Sequence, residues 1–201
     1  KIHPQNPEAR HIKTAVDIVR DGGVIIYPTD SAYALGCRIG NKGALQSIRR
    51  IRQLDAKHNF TLVCRDLSEL ATYARVDNSA YRLLKAFTPG AYTFILKATS
   101  EVPRLLMHPK RKTIGIRVPE HPVVSALLEQ LDEPILSSTL IMPGEAEPPV
   151  DIGAISDEIG HAVDLIIDSG FCGREPTTVI DLEDSSPVLL RQGKADASPF
   201  L

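Results

Sequence analysis

Apolar residues recur along this chain with two periods, one helical and one strand-like, that alternate from segment to segment. Ile12, Ala15, Val16 and Val19 fall at helical spacing and predict a first helix, stopped by Gly22. Val24 to Tyr27 is a continuous apolar run of strand length, and after Pro28 a second strand is predicted over Ser31 to Ile39. Leu45, Ile48 and Arg52 share one side of a helix over Lys42 to Gln53. Its last turn gathers Arg49, Arg50 and Arg52, where the helix dipole tolerates cations. Further strands are predicted over Phe60 to Cys64, Ala91 to Ala98, Thr113 to Val118, Ile135 to Thr139, Leu165 to Ile167, Thr177 to Leu182 and Val188 to Arg191. Helices are predicted near Ser68 to Tyr73, Ser79 to Phe87 and Pro122 to Leu131. The Pro-rich stretch Met142 to Val150 is predicted as a surface loop and a candidate flap. This alternation implies an α/β or α+β domain around a twisted mixed sheet with flanking helices.

The 201 residues, 43% hydrophobic and 24% charged, fit one globular domain over 1–201 without low-complexity tracts. No apolar stretch reaches the roughly 18–20 residues that span a bilayer, and Lys1 to Arg10 has no signal-peptide core, so the expected location is the cytosol, with no membrane partner. Cys37, Cys64 and Cys172 lack the spacing of a disulfide framework or a zinc site; they are expected to be buried thiols, and no metal site is predicted. Charge changes the picture more. Of the 23 Lys and Arg, 20 precede Val118, whereas 16 of the 25 acidic residues lie from Val118 onward. A face lined by one sign of charge focuses its field on polyanions, which makes nucleic acid or a nucleotide the leading partner; interleaving of the two halves would cancel that field.

Five segments carry chemistry. Pro28 to Gly36 places hydroxyls and the Asp30 carboxylate in a turn at a strand end, suited either to a small ligand or to the turn itself. Arg52, Lys57, His58 and Asn59 follow the basic helix and suit phosphate or a solvated charge run. Phe87 to Leu96 sets a Pro-Gly turn before a strand and is expected to be structural. In Ile114 to Pro122, Arg117 lies inside an apolar strand, where an unpaired charge costs several kcal/mol; it requires an anion, from an internal carboxylate or from a ligand. Arg104, His108 and Lys110-Arg111-Lys112 precede that strand and form either a groove rim or an exposed loop. The last segment pairs Thr177 to Asp181 with Val188 to Gly193, ending in Arg191. No P-loop, Rossmann glycine pattern, His-Glu-x-x-His or Gly-x-Ser-x-Gly elbow is present, so any phosphate site rests on basic side chains.

In this order and spacing the segments resemble the YrdC-like family, and most closely its YciO branch. That family carries Pro-Thr-Glu-Thr-x-Tyr-Gly-Leu-Gly where this chain has Pro28 to Gly36, Trp-Pro-Gly-Pro-x-Thr against Phe87 to Thr93, and x-Val-Arg-x-Pro-x-His-Pro against Ile116 to Pro122. Its Glu-Ser-Thr-Val-Val-Asp and Leu-Arg-Pro-Gly elements resemble Pro176 to Asp181 and Leu190 to Gly193, so the likeness runs from about Ala9 to Ala195. The resemblance implies an open concave cleft of positive potential, with double-stranded RNA, tRNA or a nucleotide as partner. It also implies kinship with threonylcarbamoyl-AMP synthases, which join threonine, bicarbonate and ATP for modification of adenosine 37 in certain tRNAs; ATP and Mg2+ would then be substrate and cofactor. By this resemblance Thr29 and Arg117 hold threonine, Thr177 supports it and Arg191 faces nucleotide phosphate. The implied ligand set also takes in Tyr33, Arg52, Lys57, His58, Asn59, Ser138 and Thr139, and the RNA-facing set is Arg49, Arg50, Arg104, Lys110, Arg111 and Lys112.

The departures are specific. Synthases bring a Lys-x-Arg pair and a Ser-x-Asn pair to the ATP phosphates, and here those positions read Arg52, Leu54, Thr139 and Ile141. Leu54 donates no hydrogen bond, and Ile141 binds neither a phosphate oxygen nor Mg2+. Loss of one preorganised donor at a transition state costs about 10²–10³ in rate, so synthase turnover is expected to be low unless Lys57, His58 or Asn59 substitutes. A binding protein for RNA or a ribonucleotide is the favoured reading, and a weak or altered synthase is the alternative.

Overall fold

The computed structural model describes residues 1–54, 60–184 and 186–201. Among them nine strands form one mixed sheet: β1 (Ile25–Tyr27), β2 (Ala34–Arg38), β3 (Thr61–Val63), β4 (Tyr92–Lys97), β5 (Thr113–Arg117), β6 (Ile135–Thr139), β7 (Leu165–Ile166), β8 (Thr178–Asp181) and β9 (Val188–Arg191). Their spatial order is β7-β1-β2-β6-β3-β5-β4-β8-β9. The pairs β1/β7, β3/β5 and β4/β8 are parallel and the remaining neighbours antiparallel. Six helices surround it: α1 (Ala9–Arg20), α2 (Lys42–Arg52), α3 (Leu67–Tyr73), α4 (Asn78–Phe87), α5 (Pro122–Leu131) and α6 (Ile152–Ile159).

Strand side chains alternate between faces, and the alternation explains why one face is closed and the other half open. Ile26, Leu35, Cys37, Leu62, Phe94, Ile116, Leu136 and Ile180 point to one face. There they pack with Ala44, Leu45 and Ile48 of α2, Leu70 of α3, Leu84 of α4, and Ile155 and Ile159 of α6. On the opposite face Ile25, Tyr27, Ala34, Val63 and Ile135 meet α1 and α5 through Ile12, Ala15, Val16, Val19, Val124, Leu127 and Leu128. That cover stops partway across the sheet, and beyond it the floor turns polar, with Ser137, Thr61 and Thr93.

Helix starts are set by side chains that satisfy orphan N–H groups. Asn41, Asp66, Asp77 and Asp151 accept from backbone amides in the first turns of α2, α3, α4 and α6, and His121 does so for α5, with Pro122 in its first turn. The end of α2 agrees with the expected one to within a residue. Gln53 adopts a left-handed conformation (φ 54°), its N–H donates to the Arg50 carbonyl, and the Leu54 N–H donates to the Arg49 carbonyl. This is a Schellman ending, in which the residue after the left-handed one folds back onto apolar surface. Leu54 accordingly packs against the cluster that contains Ile48.

Two expectations are corrected. The predicted strand over Ser31 to Ile39 begins only at Ala34, because Thr29 Oγ1 accepts from the Ser31 and Ala32 amides and donates to the Ala32 carbonyl, closing a side-chain turn. Helix α6 was not anticipated; it follows the Met142 to Val150 loop at once, capped by Asp151. Cys37, Cys64 and Cys172 are buried free thiols, as expected.

Candidate functional site

The uncovered half of the sheet floors a cleft of about 380 Å3. One cross-strand row sets Ser137, Thr61, Gly115 and Ile95 side by side, from β6 through β3 and β5 to β4. Thr93, Val179 and Arg191 continue the floor across β4, β8 and β9. Ser138, Thr139 and Arg52 close the β6 side; Val179 and Leu190 close the β9 side; Phe60 and Ile141 complete the wall. Gly115 keeps the centre low: a Cβ there would lie 3.2 Å from the Thr93 methyl and 3.3 Å from Thr61 Oγ1.

Three guanidiniums reach this cleft from separate elements, and each is held differently. Arg117, at the end of β5, is 5% exposed. Its Nη2 donates to Asp30 Oδ1 at 2.5 Å, and Asp30 Oδ2 also accepts from the Glu120 amide at 2.8 Å. The anion that Arg117 requires is therefore internal. The Lys194 ammonium donates to the Asp30 backbone carbonyl, tying the chain after β9 to the same turn. Arg52 donates from Nη1 to Ser138 Oγ at 2.6 Å. Arg191 donates from Nε and Nη2 to the Thr177 carbonyl at 3.1 and 2.9 Å, and Nη2 also reaches Thr177 Oγ1 at 3.2 Å. Thr177 Oγ1 in turn shares a 2.7 Å hydrogen bond with Thr93 Oγ1. Arg117 Nε and Arg52 Nε are buried without a hydrogen-bond partner among the described residues.

Electrostatics follows from burial. Desolvation pulls the Arg52 guanidinium below its ordinary pKa; Arg191 is lowered by desolvation first and by the positive charge of Arg117 second. Both shifts mark cations short of compensating charge, and an incoming anion would reverse them. Burial likewise lowers His121, against the opposing pull of Asp30; its Nδ1 accepts from the Val123 amide, which fixes the neutral ring with hydrogen on Nε2. Under the floor, Tyr27 Oη and Ser137 Oγ share a 2.6 Å hydrogen bond. The Tyr27 ring reaches there across Gly36, where a Cβ would lie 2.7 Å from the ring.

Of the sequence-derived ligand set, Arg52, Arg117, Ser138, Thr139, Thr177 and Arg191 come together here. Thr29 and Tyr33 do not. The Thr29 hydroxyl is consumed in its own turn, and buried Tyr33 donates to the Gly170 carbonyl while accepting from the Ser169 amide, fastening the segment after β7. Lys57, His58 and Asn59 lie outside the described residues. Arg49 sits 5.0 Å over the Phe60 ring beside the cleft, and Arg50 is exposed on the same turn of α2. Arg104, Lys110, Arg111 and Lys112 are exposed but line no part of the cleft. The turn starting at Arg104 packs through Leu105 and Leu106 near Asn41 and Lys42, at the opposite end of α2 from Arg52. Sequence reasoning missed Ser137, Thr61 and the floor role of Gly115 and Thr93. The available signal was the run of hydroxyl residues Ser137, Ser138 and Thr139 that ends an otherwise apolar strand. Among the described residues no group of His, Cys, Asp or Glu is arranged to hold a metal ion, and no helix is long and apolar enough to cross a membrane.

Residues 17–193 match the Sua5_yciO_yrdC family, described as Telomere recombination. The chain is 60% identical to the uncharacterized protein YciO of Escherichia coli K12, over all of this chain and 97% of that one. The crystal structure of E. coli YciO superposes with a TM-score of 0.96, again covering 100% and 97%. A putative threonylcarbamoyl-AMP synthase of Methanocaldococcus jannaschii is 28% identical over 96% of this chain and 91% of its own. P. abyssi Sua5, in a crystal structure complexed with L-threonine, matches at a TM-score of 0.89 and 26% identity, covering 98% of this chain and 58% of that one.

Proposed function

The chain belongs to the Sua5/YciO/YrdC family, and from that premise we propose that it binds RNA or a ribonucleotide in a cleft of positive potential, with little or no adenylate synthesis. One observation carries this reading: Arg52, Arg117 and Arg191 converge from α2, β5 and β9 on one cleft whose described lining includes no Asp or Glu. Hydroxyls of Ser138, Thr139, Thr93 and Thr177 stand beside them as further donors, and Arg49 and Arg50 extend positive charge from the rim along α2. Two features oppose ATP chemistry. Ile141 puts a hydrocarbon into the wall where the synthase pattern has an Asn, and Leu54 turns into the core where that pattern has an Arg.

Double-stranded RNA or tRNA is the polyanion that this arrangement suits. Binding should weaken steeply with salt, by about 0.9 log units per tenfold rise for each phosphate neutralised, by analogy with B-form duplexes. A flat salt response in a filter-binding or anisotropy titration overturns the reading.

A second reading is a weak or altered threonylcarbamoyl-AMP synthase taking threonine, bicarbonate, ATP and Mg2+. It is favoured by the retention of Arg117 and Thr177 in the cleft and by the likeness to the threonine-bound Sua5. Pyrophosphate release from ATP with threonine and bicarbonate separates the two. Near-background release from this chain, with a gain on Leu54→Arg plus Ile141→Asn, is expected for a binding protein; release at the rate of a true synthase decides for the enzyme.

A further inference from the structure

Building on the nucleotide-binding reading, we infer that the interior of the cleft selects one phosphate monoester, as on a nucleoside monophosphate or a phosphorylated RNA end, over a triphosphate. The count of uncompensated charge leads to this. Asp30, 2.5 Å from Arg117, cancels one of the three guanidiniums. Arg52 and Arg191 form no ion pair among the described residues; their partners there are the Ser138 hydroxyl and the Thr177 carbonyl and hydroxyl, all neutral. Two of the guanidinium charges lining the cleft thus stand against a ligand without a carboxylate partner. A phosphate monoester carries about −1.5 to −2 at neutral pH, which balances them. A triphosphate brings further charge that the described lining does not meet, and Mg2+ finds no carboxylate there to help carry it.

The shape of the cleft agrees. Arg52 and Arg191 stand on opposite sides of the polar floor, Arg52 beside β6 and Arg191 on β9, so that one anion over the floor faces both. On the β9 side Ile95, Val179 and Leu190 offer an apolar wall to a sugar or base. Asp30 is then the residue that sets ligand charge. It does so through Arg117 and without touching the ligand.

Calorimetry of this chain with AMP, ADP and ATP, each with and without Mg2+, tests the inference. AMP is expected to bind at least as tightly as ATP, and a duplex RNA with a 5′-phosphate more tightly than the same duplex with a 5′-hydroxyl. Free AMP binding without a 5′-phosphate effect assigns the site to mononucleotides; the converse assigns it to RNA ends. Asp30→Asn, which keeps an acceptor for Arg117 but removes the charge, should raise the ATP-to-AMP affinity ratio about tenfold. Should that variant unfold, Ile141→Lys adds a charge at the wall without disturbing the pair and should move the ratio the same way. Mg-ATP binding tenfold tighter than AMP overturns the inference while leaving nucleotide binding intact. RNA binding that ignores the 5′ end, with no mononucleotide bound, overturns it while leaving RNA binding intact. Absence of all binding removes both.

Discussion

Tyr27 shows how a single side chain joins the core to the site. Its ring fills the space above Gly36, and its hydroxyl ends on Ser137 in the cleft floor. Burial pushes the phenol up to about 12, from an ordinary value near 10. The folded protein therefore keeps this proton over a range in which the unfolded chain has lost it. Its contribution to stability is complete below pH 10 and is lost as pH rises from 10 to 12, at about 1.4 kcal/mol per pH unit. Tyr27→Phe should flatten the fall by that amount in denaturant titrations across this range, because Ser137 Oγ retains the Leu35 carbonyl as acceptor. An unchanged slope would mean that Tyr27 is not the titrating group. Arg117 teaches a complementary lesson about legibility. An arginine inside Ile114 to Val118 announces its need for an anion in one dimension, but its partner lies 87 residues away in sequence. Only the approach of the Pro28 to Gly36 turn to the end of β5 chooses between ligand and carboxylate.

At the scale of elements, the strands and five of the six helices among the described residues were legible because apolar residues cluster in them in short runs or at helical spacing. Helix α6 escaped because Ile152, Ile155 and Ile159 directly follow the Pro-rich stretch Met142 to Val150, with only the Asp151 cap between them. The end of α2 falls where its period predicts, and its cap also decides where the Leu54 side chain goes. A left-handed Gln53 lets the chain reverse so that Leu54 reaches apolar surface, leaving Arg52 as the residue facing the cleft. Left-handed backbone costs an L-residue roughly 1–2 kcal/mol, which glycine avoids at some entropic cost. Exposed Gln53 is thus a site for gain, and Gln53→Gly should raise stability by roughly 0.5–1 kcal/mol, read as a shift in urea midpoint at constant slope. A loss of stability would show that the Gln53 side chain contributes something beyond its backbone conformation.

For the whole molecule, the decisive fact is the mismatch between a nine-stranded sheet and its cover. Four helices close one face, whereas α1 and α5 close only part of the other, and the cleft is what remains. The segregation of charge along the sequence does not survive as two blocks. Strands β6 to β9, from the acid-rich half, enter the sheet at its centre and at both edges, so the halves interleave and the charge that matters is local to the cleft. Such a site depends on an empty floor as much as on its arginines, and Gly115 is the floor's lowest point. A Cβ there meets neighbours at 3.2 to 3.5 Å, tight contacts with side chains that can yield by tenths of an ångström. A branched side chain would continue upward into the trough between Arg52 and Arg191. Gly115→Val should therefore abolish nucleotide and RNA binding, while costing only about 1–3 kcal/mol of stability, since overpacking is confined to the margin of an open cavity. Binding by calorimetry alongside thermal unfolding checks both halves of this expectation. A folded variant that binds as the parent does would place the ligand elsewhere on the surface.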